Sequence, residues 1–163
     1  MENKNFKKMF GQIAQHFGFR FVFNGWFKES EECITVLNLQ KSNYGNYYDL
    51  VIKIYVQNCL GKQHVVSKDL VKNQLGTADR GHPREYDDLF NLELNMEDDQ
   101  RRQGLEQFFQ TYMEPFSEKS LSRLGVQELG EKKELFLTPA VKESLEALLA
   151  LNSGPSNGKQ QAE

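Results

Sequence analysis

Phe19-Arg20-Phe21-Val22-Phe23-Asn24-Gly25-Trp26-Phe27-Lys28-Glu29 is the stretch that decides the fold. Three phenylalanines alternate with Arg20 and Val22, the two-residue period of a strand with one apolar side. Asn24-Gly25 follows, a pair that tolerates the positive φ of a two-residue hairpin turn. Residues 26–29 are then the return strand. The unit is an antiparallel hairpin.

Working outward, Ser30-Glu31-Glu32 makes a second polar turn, and residues 33–41 form a β-branched third strand. Residues 42–46 turn again. Residues 47–57 form a long fourth strand with Tyr48, Leu50, Ile52, Ile54 and Val56 on one face and Asp49, Lys53 and Tyr55 on the other. Short polar connections between consecutive strands imply an antiparallel meander. Alternation at Phe90, Leu92 and Leu94 makes residues 85–94 the expected fifth strand, with 76–83 a loop before it. Upstream, Phe6, Met9, Phe10, Ile13 and Phe17 share one face of a helix over 3–17. Gly18 is placed for a left-handed cap, with Phe19 folding back on the last turn.

Beyond residue 94 the pattern is helical. Asn95 is the expected cap, and Glu97, Asp98 and Asp99 suit the positive end of a helix dipole. Pro115 is expected to close that helix, and a short one over about 118–124 to stop near Gly125. Ser67 is a candidate cap for a short helix ending at Gly76, and Thr138-Pro139 opens a last helix to about Leu151. The expected architecture is one α+β domain over 1–151. An antiparallel β-meander of about five strands carries the N-terminal helix and the C-terminal helices on one face, and the other face is partly exposed and polar–aromatic. The composition of 152–163 reads as a disordered tail.

Twelve phenylalanines in 163 residues argue for a large core, and Phe6, Phe10, Phe17, Phe19, Phe21 and Phe23 are expected to pack together within it. The net charge of −3 gives no global attraction to nucleic acid or to anionic membranes. Two cysteines, Cys33 and Cys59, are too few for a disulfide framework and are expected as core thiols in a reducing compartment. No apolar leader or spanning segment is visible, so a cytoplasmic protein without a membrane partner is expected.

Motifs of known chemistry are missing. Gly61-Lys62-Gln63 lacks the first glycine and the hydroxyl of a phosphate-binding loop. No dinucleotide fingerprint, zinc spacing or nucleophile elbow occurs, so no cofactor, metal or catalytic set is assigned. His82-Pro83-Arg84 offers an imidazole beside a guanidinium, the one acid–base pairing in the chain. Asn38 and Gln40 interrupt an apolar strand, so they either face solvent or organise a polar site. With Lys41, Tyr44, Tyr47, Asp49, Lys53 and Tyr55 they suggest a polar–aromatic sheet face of the kind that binds protein.

The segment Phe19–Val56 contains Leu37-Asn38-Leu39-Gln40-Lys41-Ser42 and a Tyr/Asn/Gly turn. It is followed by Arg80-Gly81-His82-Pro83-Arg84-Glu85-Tyr86-Asp87-Asp88-Leu89-Phe90-Asn91-Leu92. Together they resemble the bacterial domain-of-unknown-function family numbered 4304, over roughly residues 3–125. The resemblance implies a bacterial α+β protein, with no established activity and no catalytic residue to carry over. It brings only a general association with partner-binding or toxin-neutralising proteins.

The leading expectation is a non-enzymatic protein-binding module. Its binding residues are Gln40, Lys41, Tyr44, Tyr47, Asp49, Lys53, Tyr55, His82 and Arg84. On that reading, Tyr55→Ala with Lys53→Glu releases the partner and leaves the melting temperature nearly unchanged. One alternative is a small hydrolase or nuclease-like enzyme using His82 and Arg84, with Gln40 or Lys41 nearby. It gains if His82 has a second polar group in a concave pocket. The other is a structural homodimer.

Overall fold

The computed structural model describes residues 1–162, with side chains through Asn152. The tail expected over 152–163 lies, Asn152 apart, outside the fully described residues. Helix α1 (Asn3–His16) leads into β1 (Arg20–Val22), β2 (Gly25–Glu29), β3 (Cys33–Lys41) and β4 (Tyr48–Val56). A short helix α2 (Lys68–Lys72) precedes β5 (Ala78–Gly81). The five strands form one antiparallel sheet in the order β1-β2-β3-β4-β5. The helical half follows: α3 (Asp87–Phe90), α4 (Asp98–Phe108), α5 (Glu114–Ser120), α6 (Arg123–Glu131) and α7 (Pro139–Ala162). No helix among the described residues is long and apolar enough to cross a membrane.

The expected meander, N-terminal helix and C-terminal helices are all present. Phe6, Phe10 and Ile13 of α1 are buried against Trp26, Leu37, Tyr48, Leu50 and Ile52 of the sheet. Phe6 stacks on Tyr48 at 5.3 Å, and Phe10 meets Trp26 edge-on at 4.9 Å and Phe109 at 5.3 Å. Gly18 takes φ 93°, and the buried Phe19 returns its N–H to the Ala14 carbonyl at 3.0 Å, closing α1 as its sequence implies. Both cysteines are buried and unpaired.

Four details differ. The first turn is Phe23-Asn24, both at positive φ, because Val22 pairs with Gly25. Gly25 therefore starts β2, and its lack of a side chain serves close packing: a Cβ there would lie 2.8 Å from Val71 Cγ2. The shift places Phe23 in the turn, 47% exposed, and Phe21, opposite Trp26 on the edge strand β1, is 48% exposed, so neither joins the core. Second, the fifth strand is 78–81, with Val51 opposite Gly81 and Ile54 opposite Ala78. Residues 87–90 instead form α3, which turns Phe90 inward. Third, Pro115 opens α5 rather than closing α4. The intervening Phe109–Met113 segment is π-helical, and proline at the start of α5 needs no N–H bond. Fourth, Gly125 lies in the first turn of α6, where Ser122 Oγ accepts its N–H at 2.9 Å.

The largest difference is on the second face of the sheet. Helix α2 and its flanks cover it, forming a small apolar cluster of Phe27, Ile34, Val36, Tyr55, Leu70 and Val71. Lys53 and Tyr55 are buried beneath it, not exposed. Lys53 Nζ donates to the carbonyls of Val71 at 2.9 Å and Gln74 at 3.0 Å. The Tyr55 hydroxyl lies 2.7 Å from the Leu70 carbonyl and 2.9 Å from that of Gln74. Asn38 Nδ2 donates to Val71 O at 3.2 Å. The last carbonyls of a helix have no partner within it, and a cation at that end also meets the negative pole of the dipole. Three sheet side chains thus hold the C-terminal end of α2.

Candidate functional site

Seven of the nine expected binding residues remain at or near one end of the sheet. Gln40 pairs with Asp49 and Lys41 with Tyr48, at the turn end of the β3–β4 hairpin. Gln40, Lys41 and Asp49 are exposed, and Tyr44 at the hairpin tip is 94% exposed. Tyr47 is half-buried and bridges to Asn91. The hairpin is tied to the loop after α3 by two backbone donors: Asn46 N–H to the Glu93 carboxylate at 2.9 Å, and Leu92 N–H to the Asn46 carbonyl at 2.9 Å. Lys53 and Tyr55 do not belong to this surface.

A cavity of about 230 Å³ opens beside the hairpin, walled by Tyr47, Asp49, His82, Asp87, Asp88 and Asn91. His82 follows directly on β5, and its side chain is 7% exposed. Its ring stacks on Phe90 at 4.3 Å. Nε2 lies 2.8 Å from Asp87 Oδ1, and the Leu50 backbone N–H donates to Nδ1 at 3.2 Å. Since a backbone N–H can only donate, Nδ1 is the acceptor and Nε2 carries the proton given to Asp87. His82 N–H also donates to Leu50 O at 3.1 Å. The residue therefore clamps the end of β4 to the chain leaving β5. Arg84 is exposed, and its side chain makes no hydrogen bond or ion pair among the described residues, although its carbonyl accepts the Asp87 N–H. The expected imidazole–guanidinium pair does not form.

Asp49, expected with His82 among the binding residues, is joined in this recess by Asp87 and Asp88, which the sequence does not mark as part of a site. Their separation along the chain hides the cluster; only the pairing of β4 with β5 brings them together. Among the described residues no group of three or more His, Cys, Asp or Glu could hold a metal ion. The polar turn Ser30-Glu31-Glu32 is tied down at one residue: Glu32 accepts from Arg123 N–H at 3.0 Å.

Two buried arginines fix the frame around these elements. Arg101 is fully buried and donates to the carbonyls of Leu89 at 2.6 Å, Asp88 at 3.2 Å and Leu94 at 3.4 Å. It holds the end of α3, and so the position of Asp87 and Asp88. Arg123 donates to Gln57 O at 2.9 Å and reaches Glu32 at 3.4 Å, joining α6 to the turn before β3.

Fold and surface together define an α+β protein in which an antiparallel meander, covered on both faces, presents a tyrosine-bearing hairpin end beside an acidic recess. A model for a domain of unknown function, DUF4304, matches residues 10–119. The chain belongs to that family. No curated protein and no solved structure matches it significantly.

Proposed function

We propose that the protein is a non-enzymatic protein-binding module whose docking surface is the β3–β4 hairpin end with its acidic recess. The observation that carries this reading is Tyr44, a large amphipathic ring 94% exposed on a hairpin held firmly to the loop after α3. An exposed tyrosine has only two side-chain torsions to fix on binding and supplies much contact area. The recess of Asp49, Asp87 and Asp88 beside it suits a lysine or arginine from the partner. A toxin-neutralising role is one form of this reading. An oxidant-free, cytoplasmic setting fits the two buried free thiols.

The acid–base reading has one observation in its favour, the His82–Asp87 contact at 2.8 Å in a concave wall. The other ring nitrogen is occupied by Leu50, and neither Arg84 nor a nucleophile stands beside it. Protein binding is therefore the better account. The test is capture from the native cell with the parent chain and with Tyr44→Ala/Asp88→Lys. Both positions are exposed, so the melting temperature stays within about 1 °C while a retained partner is lost. Capture of no partner, or equal capture by both chains, refutes the proposal. Light scattering on the purified chain separates a foreign partner from a second copy.

A further inference from the structure

Between α1 and the β1–β2 hairpin the surface opens into a groove of about 420 Å³, within the size range of small-molecule sites. Its floor is Trp26, with Gly11 and Phe21 at the sides and Lys7 and Lys8 on the rim. It shares no residue with the Tyr44–His82 surface.

Three observations point to the same ligand chemistry. First, the groove is aromatic: Phe21 lies 5.1 Å from Trp26 and is 48% exposed. Covering such a ring returns a substantial part of its burial energy. Second, the charge is one-sided. Lys7 and Lys8 line the groove, no carboxylate does, and neither lysine makes an ion pair among the described residues. Third, Trp26 is 4% exposed, yet its Nε1–H has no acceptor among the described residues. That nitrogen lies against Gly11, where even a Cβ would come within 3.3 Å. A buried donor left unpaired costs free energy that an acceptor oxygen would recover.

We propose that this groove binds a small organic acid with an apolar body. The carboxylate is held at the Lys7–Lys8 rim on the Gly11 side, and the body lies over Phe21 and Trp26. An amphipathic alkyl acid and an aryl acid share this chemistry, and the experiment separates them.

Trp26 is the only tryptophan, so one indole N–H signal in a nitrogen–proton correlation spectrum reports on the site. The probes are decanoate and 4-phenylbutyrate, with decylammonium and decanol as charge controls and an N-acetylated Glu-Phe dipeptide amide as a peptide control. Saturable movement of the indole signal by decanoate or phenylbutyrate is expected, and the tighter of the two names the source class. Decylammonium should bind at least about tenfold more weakly than decanoate. Lys7→Glu/Lys8→Glu, both on exposed positions, should weaken decanoate by about tenfold with an unchanged melting temperature. Gly11→Ser should abolish binding by filling the groove; if that chain fails to fold, the lysine pair still decides. The proposal is overturned if no acid moves the indole signal at millimolar concentration. Equal binding of decylammonium and decanoate, or binding of the dipeptide alone, also overturns it.

Discussion

Replacing Tyr55 by Phe removes one oxygen and leaves the ring in place. In the parent chain that oxygen is 2.7 Å from the Leu70 carbonyl and 2.9 Å from that of Gln74, beneath α2. Gln74 keeps the Lys53 ammonium at 3.0 Å, but Leu70 loses this donor within a buried setting. Leaving a buried acceptor without its donor costs about 1–3 kcal/mol. In a chain of this length each kcal/mol moves the melting temperature by roughly 2–4 °C, so Tyr55→Phe should melt about 2–12 °C lower. Thermal unfolding followed by circular dichroism gives the shift. Hydrogen exchange locates it, since the amides of 68–74 should exchange faster while those of β3 change little. The cover by α2 closes a face that alternation alone presents as open. A Tyr55→Phe chain that melts within about 1 °C of the parent, with unaltered exchange at α2, would refute it.

Two further perturbations test the same packing. Gly25→Ala places a Cβ 2.8 Å from Val71 Cγ2 and should destabilise by about 1–3 kcal/mol; Gly25→Ala with Val71→Ala should recover much of that loss in a double-mutant cycle by urea unfolding. Burial pushes the Cys33 thiol up from 9.0 to about 12, so the folded state holds its proton where the unfolded chain has lost it. That contribution is complete below pH 9 and lost as pH rises toward 12. Cys33→Ala should therefore flatten the fall in urea-derived stability between pH 9 and 11, and an unchanged slope would count against the burial argument.

The helix-side half of the fold is legible because its signals are periodic and redundant. Phe6, Met9, Phe10 and Ile13 mark the inner face of α1, and Tyr48, Leu50, Ile52, Ile54 and Val56 mark that of β4. Strand β5 carries no such signal. Ala78-Asp79-Arg80-Gly81 pairs on one side only and needs no apolar alternation, whereas Phe90 and Leu92 alternate by chance across the end of a helix turn. Phe21 and Phe23 mislead for a related reason. Alternation continues into the turn, so Phe23 looks like the next member of the strand's apolar face, while Phe21 stays in β1 opposite Trp26 at the sheet edge, where it is only half covered.

Lys53 and Tyr55 pose the harder problem, because a side chain that satisfies a helix end and one that meets water are the same letters. The distinguishing signal lies on the neighbouring strand. Cys33-Ile34-Thr35-Val36-Leu37 does not alternate; all five residues are buried. A strand without alternation is covered on both faces. Ile34 stands opposite Tyr55 and Val36 opposite Lys53. Two apolar residues facing a lysine and a tyrosine across one sheet surface cannot be left in water without exposing Ile34 and Val36 as well. The cover must come from chain that is otherwise unassigned, and the candidate is the short helix opened by Ser67, with Leu70 and Val71 as its apolar pair. The polarity of Lys53 and Tyr55 then follows from that cover: a short helix laid on a sheet brings its unpaired carbonyls with it, and the sheet must supply donors long enough to reach them. Side chains with no such duty, Tyr44 at the hairpin tip and Phe21 beside Trp26, are the ones left exposed to meet a partner or ligand.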